Sequence, residues 1–245
     1  MNQEQVIKTY LERHGFGQFC PKAVLFDMDG VLYDSMPNHA RSWHRSMEDF
    51  GISMSEADAY QFEGMRGLET IKILAKRQWG RDISDEESAR MYAEKSRVFS
   101  TLPEAGIMEG VKSLQERIKS MGMEIVVVTG SGQHSLLNKL TQDFAGLVQS
   151  HLIVSCFDVS RGKPHPEPYL KGMEKVGVKP WEAIVIENAP LGVRAAVAAD
   201  IFTIAVNTGP LPDEMLSDEG ANMVFKTMKQ AEEFIAANCG SPVNL

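Results

Sequence analysis

Five short apolar runs, each ending in polar or small residues, constrain the fold of this chain more than any other feature. They are Ala23-Val-Leu-Phe26, Glu124-Ile-Val-Val-Val128, His151-Leu-Ile-Val154, Ala183-Ile-Val-Ile186 and Phe202-Thr-Ile-Ala-Val206, and Asn222-Met-Val-Phe225 is a sixth candidate. Continuous rather than alternating apolar character marks a strand buried on both faces. Helical patterns separate the runs. Val111, Leu114, Ile118 and Met121 recur at helical spacing before Gly122, a C-cap residue, and Pro190 opens a helix with Val193, Ala196 and Val197 on one face. Strand alternating with helix predicts an α/β fold, a parallel sheet covered by helices. Such sheets bind ligands outside the carboxyl ends of their strands.

One stretch interrupts the alternation. Between Met36 and Pro103 no strand pattern is present, whereas Ala40, Trp43, Met47 and Phe50, then Ile71, Leu74 and Ala75, then Met91 and Val98 mark successive helices. This is an all-helical insertion after the first strand, with linkers at Tyr33–Asn38 and Thr101–Met108 that carry Pro37, Pro103 and Gly106. Two linkers beside a strand-end site suit a cap that opens and closes. The expected division is a helical extension at 1–20, an α/β core at 21–35 and 106–245, and a helical cap at 36–105.

Composition narrows the function classes. The net charge is −8 and no Lys/Arg-rich run occurs, so the basic footprint of a nucleic-acid binder is missing. No window approaches 18 consecutive apolar residues, which argues against a membrane span. The N-terminal MNQEQVIKTYLERHG is polar and helix-like, unlike a signal peptide. Cys20, Cys156 and Cys239 are too far apart for a CxxC pair and fit a reducing, cytoplasmic setting. A monomer or weak dimer is expected.

Four motifs carry chemistry. In Phe26-Asp27-Met28-Asp29-Gly30-Val31 two carboxylates stand at i and i+2 where a buried strand ends, so both point to one side. Their repulsion calls for a hard cation such as Mg²⁺, although the same letters also serve a turn capped by aspartates. Val126-Val-Val-Thr-Gly-Ser-Gly132 runs from a strand into a small-residue turn, with a helix following near Gln133. Its hydroxyls and amides make a phosphate cradle or an ordinary strand-to-helix turn. Lys163, in Arg161-Gly-Lys-Pro-His-Pro-Glu-Pro-Tyr169, is held by three prolines and could neutralise a phosphate and a carboxylate together, or be a surface lysine. In Val185-Ile-Glu187-Asn188-Ala-Pro190, Glu187 and Asn188 offer oxygens to a metal, directly or through water. Asn188 could equally cap the next helix.

Taken in order and spacing, the four motifs and the helical insertion resemble the haloacid dehalogenase-like superfamily. Residues 21–210 are most similar to its β-phosphoglucomutase-like branch. The resemblance implies a Rossmann-like parallel sheet core with an inserted all-helical cap. It implies that Asp27 is a nucleophile forming an aspartyl-phosphate, and that Asp29 is the general acid and then base. Asp27, the Asp29 backbone carbonyl, Glu187 and Asn188 would hold Mg²⁺. Thr129 with the turn amides at Gly130 and Ser131 would grip the transferring phosphoryl group, and Lys163 would offset its charge. The dehalogenases themselves attack carbon without a metal and lack the second acid, so Asp29 speaks against that reaction.

Two departures from the branch bear on the substrate. Asn188 replaces the Asp of the usual Glu-Asp pair. In Gln61-Phe-Glu63-Gly-Met-Arg66-Gly67, Glu63 and Gly67 stand where the sugar-phosphate mutases carry a Lys and an Arg, and Arg66 lies one position away. We expect Glu63 to reach the metal and restore the carboxylate lost at Asn188. That would leave room for a compact substrate such as pyrophosphate or another small phosphate; a solvated Glu63 is the plainer alternative. His39 matches a histidine of the sugar-phosphate mutases. The expected activity is a Mg²⁺-dependent phosphohydrolase acting on a small phosphorylated metabolite or pyrophosphate. A β-phosphoglucomutase is the second reading, and a non-catalytic phosphometabolite sensor, favoured only by Asn188, the third.

Overall fold

The computed structural model describes residues 2–131 and 134–245, with the backbone alone at 134 and 135. The chain opens with helix α1 (Gln3–His14) and strand β1 (Gln18–Phe19), then enters the main sheet at β2 (Ala23–Phe26). Four helices follow: α2 (Met36–Glu48), α3 (Glu56–Gln61), α4 (Gly67–Trp79) and α5 (Asp85–Ser100). Helices and strands then alternate through α6 (Val111–Ser120), β3 (Glu124–Val128), α7 (His134–Asp143), β4 (Ile153–Val154), α8 (Glu167–Val176), β5 (Ala183–Glu187) and α9 (Pro190–Val197). The chain ends with β6 (Phe202–Val206), α10 (Glu214–Ser217), β7 (Met223–Phe225), α11 (Met228–Asn238) and β8 (Val243–Asn244).

Six strands pair in parallel in the order β4-β3-β2-β5-β6-β7. From β2 the chain winds outward to β3 and β4, then crosses to β5 on the other side, so the strand order reverses beside β2. That reversal opens a crevice at the carboxyl ends of β2 and β5. Register aligns those ends: Phe26 lies opposite Val127 on one side and Ile186 on the other. The residues that follow, Asp27, Val128 and Glu187, therefore emerge at one level.

Alternate strand residues enter two separate cores, as period two requires. Val24, Phe26, Ile184, Ile186 and Ile204 pack with Tyr10, Leu114, Phe144 and Phe234 from α1, α6, the α7 end and α11. Leu25, Val126 and Val185 pack on the opposite face with Tyr169, Met173 and Ala196 from α8 and α9. The four inserted helices bury their own cluster, including Trp43, Met47, Ile71, Leu74 and Met91. α3, which the sequence pattern did not resolve, is started by a reciprocal Ser55–Asp58 capping box.

Two details differ from the sequence expectation. The run at His151–Val154 is strand only at Ile153–Val154, because Ser150–Leu152 forms a 3₁₀ turn. Residues 18–19 pair antiparallel with 243–244, tying the two terminal segments together. Among the described residues no helix is long and apolar enough to cross a membrane.

α8 packs tightly on the sheet at Gly172, where an added Cβ would lie 2.6 Å from Leu25 Cδ2. Gly172→Ala should gain about 1 kcal/mol of helix propensity and lose about 1–3 kcal/mol to overpacking. The net expectation is a lower urea midpoint at unchanged slope; an equal or higher midpoint would contradict this packing.

Candidate active site

Asp27 and Asp29 flank a turn at the end of β2, and both are buried. Gly30 sits at φ 81°, and a Cβ there would fall 2.0 Å from Asn188 Nδ2. Glycine is thus required twice, for the left-handed backbone and for the approach of the Asn188 amide. The turn closes through Gly30 N–H donating to the Tyr33 carbonyl at 2.8 Å, and Thr208 Oγ1 donates to the Gly30 carbonyl at 2.7 Å.

Lys163 is only 1% exposed. Its Nζ donates to Asp27 Oδ1 at 2.5 Å, to Glu187 Oε1 at 2.7 Å and to the Val128 carbonyl at 3.2 Å. Each acceptor stands at or just past the end of a different strand, β2, β5 and β3. Burial alone would lower the lysine pKa, but Asp27 and Glu187 raise it above the ordinary value. Glu187 is fully committed. Its Oε1 also accepts from Tyr169 Oη at 2.7 Å, and its Oε2 accepts from the Asn188 and Ala189 amides at 2.9 and 3.1 Å. With two bonds on each oxygen, Glu187 is arranged for the water-mediated rather than the direct one of the two metal contacts expected of it. Here it holds Lys163 and the β5–α9 turn.

Burial, with Glu187 and Asp29 nearby, pushes Asp27 up to about 7 despite Lys163. Asp29 behaves differently. Burial would raise it, but His39, Ser35 and Lys95 together hold it at about 2. Ser35 Oγ donates to Asp29 Oδ1 at 2.6 Å, and His39 Nε2 meets the same oxygen at 3.2 Å. Lys95 Nζ lies 2.7 Å from His39 Nδ1. An ammonium can only donate, so Nδ1 accepts and Nε2 carries the proton toward Asp29.

Lys95, 3% exposed, was absent from the sequence-based residue set. The signal was present: Met91, Lys95 and Val98 lie at i, i+4 and i+7, a lysine on the buried stripe of α5. Its ammonium stands 5.2 Å from the Trp43 ring centroid and 4.9 Å from that of Phe99. Burial lowers it to about 8, against the pull of Glu63 and Asp29.

Glu63 comes from the loop between α3 and α4. It lines a cleft of about 50 Å³ together with Asp29, His39, Lys95, Gly130 and Ser131. Burial raises its pKa well above the ordinary value, and the charges of Asp29 and Asp27 add to the effect. Glu63 thus shares the cleft with Asp29 and lies within the field of Asp27. Thr129 is buried at the end of β3, and its Oγ1 accepts from the Ser131 amide at 3.0 Å. Gly132 and Gln133, the rest of that motif, lie outside the described residues. Arg66, expected at the substrate, points its Nη1 to the Ser160 carbonyl at 3.0 Å and does not line this cleft.

The donors at this corner suit a hard divalent ion. Asn188 Oδ1 is buried without a hydrogen-bond partner, a costly state that a cation would relieve. It stands against the Asp27–Gly30 turn, beside two mutually repelling carboxylates. No group of three or more His, Cys, Asp or Glu side chains among the described residues is spaced to hold a metal alone. The fit rests instead on a mixed set of carboxylate, amide and backbone oxygens, hard ligands suited to Mg²⁺.

Comparison with known proteins agrees with this geometry. Residues 24–206 match the haloacid dehalogenase-like hydrolase family. Hexitol phosphatase A of Escherichia coli (strain K12) is 31% identical over 188 residues, covering 76% of this chain and 83% of that protein. A phosphorylated carbohydrates phosphatase of Thermotoga maritima is 32% identical over 185 residues, covering 75% of this chain and 83% of that protein. A solved structure from Bacteroides vulgatus, provisionally assigned as a beta-phosphoglucomutase, superimposes with a TM-score of 0.91 at 50% identity over 94% of each chain. By a family match running from β2 to β6, and by relatives alike over most of their own length, the chain belongs to the haloacid dehalogenase-like hydrolases and is an enzyme of their phosphatase and phosphotransferase kind.

Proposed function

We propose that this enzyme is a Mg²⁺-dependent phosphohydrolase of small phosphorylated substrates, with pyrophosphate the best fit, and that residues 36–105 act as its cap. The observation that carries the reading is Lys163, buried and bonded to Asp27 at the point where three strand ends meet. Lys163 takes Oδ1 of Asp27 and fixes the carboxylate, leaving Oδ2 to face phosphorus. In the first step a bond forms from Asp27 to phosphorus and the bond to the leaving oxygen breaks. In the second, water attacks the aspartyl-phosphate, Asp29 accepts its proton, and phosphate departs from Asp27. Thr129 and the Gly130–Ser131 amides orient the phosphoryl oxygens. Asp27, the Asp29 carbonyl and Asn188 are the residues that would hold Mg²⁺, with Glu63 joining from the helical insertion. The ion, when bound, supplies charge neutralisation on the transferring group.

Two features favour pyrophosphate. Glu63 occupies a cleft of about 50 Å³ with Asp29, His39 and Lys95. A carboxylate placed there narrows the space beside Asp29 and so favours a compact leaving group over a hexose. Asp29, held at about 2, is ionised and ready as a base. An ionised Asp29 cannot protonate a sugar alkoxide, whereas phosphate is a good leaving group without a proton. Sugar phosphates, the substrates in the relatives' names, and a phosphoglucomutase activity form the second reading. It is favoured by the Asp29–His39–Lys95 chain, which offers a route for a proton to the leaving oxygen.

A phosphate-release panel with Mg²⁺ should give turnover of pyrophosphate above that of glucose 1-phosphate and hexitol phosphates. Asp27→Asn should lower turnover by roughly a thousandfold or more. Conversion of glucose 1-phosphate to glucose 6-phosphate, primed by the bisphosphate, would select the mutase reading instead.

Glu63→Gln should raise the Mg²⁺ concentration for half-maximal activity by roughly tenfold to a hundredfold and shift preference toward sugar phosphates. Unchanged Mg²⁺ dependence and substrate preference would separate Glu63 from the ion.

Asp27, raised from 3.8 to about 7 in the fold, binds its proton more tightly there than in the unfolded chain. Its contribution to stability is therefore full below the unfolded value and is lost as pH rises through about 7. An ion that needs ionised Asp27 competes with that proton. The rise in Tm on adding Mg²⁺ should be larger at about pH 8 than at about pH 5.5. In Asp27→Asn the difference should vanish; an equal rise at both pH values in the parent would oppose the assignment.

A further inference from the structure

The Arg66 side chain, which lines a small cavity with Thr129, Gly130 and Lys163, also binds the core directly. Arg66 stands at the N-cap position of α4 without a side-chain cap bond, and its stem crosses the Lys163 loop of the core. A Cβ on Gly162 would lie 2.7 Å from Arg66 Cγ and 3.1 Å from Cδ. Gly162 has no positive φ, so the backbone does not demand glycine there; the arginine stem does. Beyond Gly162 the guanidinium donates to the Ser160 carbonyl at 3.0 Å. That acceptor is itself anchored, because the Ser160 and Arg161 amides donate to the Glu167 carboxylate at 2.7 and 3.0 Å. The same insertion loop reaches Lys163 two residues earlier: a Cβ on Gly64 would lie 3.1 Å from Lys163 Cδ. Gly130, after Thr129, faces the Gly64 carbonyl, which a Cβ there would meet at 3.4 Å. The loop carrying Glu63 is thus laid over the alkyl stem of the lysine that positions Asp27.

We propose that Arg66 is a positioning residue, a latch that holds the 62–67 loop shut over Lys163 by seating its stem on Gly162 and bonding the Ser160 carbonyl. Closure and the placement of Lys163 then become one event. With the loop lifted, the lysine stem loses its cover and Glu63 leaves the cleft. With it latched, the ammonium is confined to Asp27, Glu187 and the Val128 carbonyl. The inference rests on the phosphohydrolase reading only for its kinetic consequences; the latch contact stands on geometry.

The test is a double-mutant cycle with a structural readout beside it. Arg66→Ala and Gly162→Ala should each lower kcat/KM for pyrophosphate by about tenfold to a hundredfold, the worth of one hydrogen bond from a charged donor. The double variant should be no worse than either single one, since the added methyl acts only through the arginine stem. Arg66→Lys should recover part of the loss. Hydrogen exchange in the peptide spanning 160–166 should be faster in Arg66→Ala than in the parent at unchanged Tm. Additive losses in the double variant, or unchanged exchange in Arg66→Ala, would overturn the latch. Should the parent prove inactive on pyrophosphate, the substrate reading fails alone and the exchange comparison still decides the latch.

Discussion

The site depends on one buried ammonium. Taking Lys163 out of water costs several kcal/mol, and the cost is recovered only with well-placed opposite charge and filled hydrogen-bonding capacity. Its three protons find Asp27, Glu187 and the Val128 carbonyl. Those partners come from the ends of β2, β5 and β3, so the lysine is satisfied only if the three strands lie side by side in this register. The parallel order, the reversal beside β2 and the ion cluster thus specify one another. Tyr169 and the two turn amides complete Glu187, so its charge is as fully paired as that of the lysine. Gly192 makes room for it: any Cβ there would overlap the Glu187 carboxylate at 1.8 Å.

Around that pair the charges do not balance. Asp27, Asp29, Glu63 and Glu187 face two ammonium groups, Lys163 and Lys95. Fully ionised, the cluster keeps two surplus negative charges, the complement of a divalent cation. The surplus shows in the acids themselves: burial and the neighbouring carboxylates push Asp27 and Glu63 both up, whereas Asp29, with Ser35 and His39 on one oxygen, is held down. Two aspartates at i and i+2 thus acquire different proton affinities from their neighbours alone.

Much of this was legible in the sequence. Apolar runs located the strands of the main sheet, since burial on both faces leaves a continuous signal. D-x-D-G, Thr129 and Glu187-Asn188 are local patterns at strand ends, Lys163 is marked by the prolines of its loop, and all of them converge in space. What escaped was set by distance along the chain. Lys95 bonds a histidine 56 residues away, and its one local trace was a lysine on an apolar helix stripe. The bond from Arg66 to a backbone carbonyl 94 residues on carries no sequence signature. The four donors to Glu187, a lysine, a tyrosine and two amides, are likewise assembled only by the fold. The pairing of β1 with β8 joins two-residue strands too short for any periodicity.

The exchange of Asp for Asn at 188 and the presence of Glu at 63 have a thermodynamic consequence together. On the proposed metal assignment, an acid at 188, just past the end of β5, would sit beside the ion permanently. Asn188 keeps an oxygen there without its charge, and the proposed carboxylate comes instead from Glu63, on the loop that Arg66 is proposed to fasten. If Glu63 contributes to holding the ion only when that loop is closed, the ion must favour the closed form by the same free energy with which closure favours the ion. Charge neutralisation, cover over Lys163 and exclusion of water from the cleft then share one conformational equilibrium. An enzyme built this way assembles its full electrostatic set only around an occupied site, which suits a substrate small enough for the loop to close over it completely.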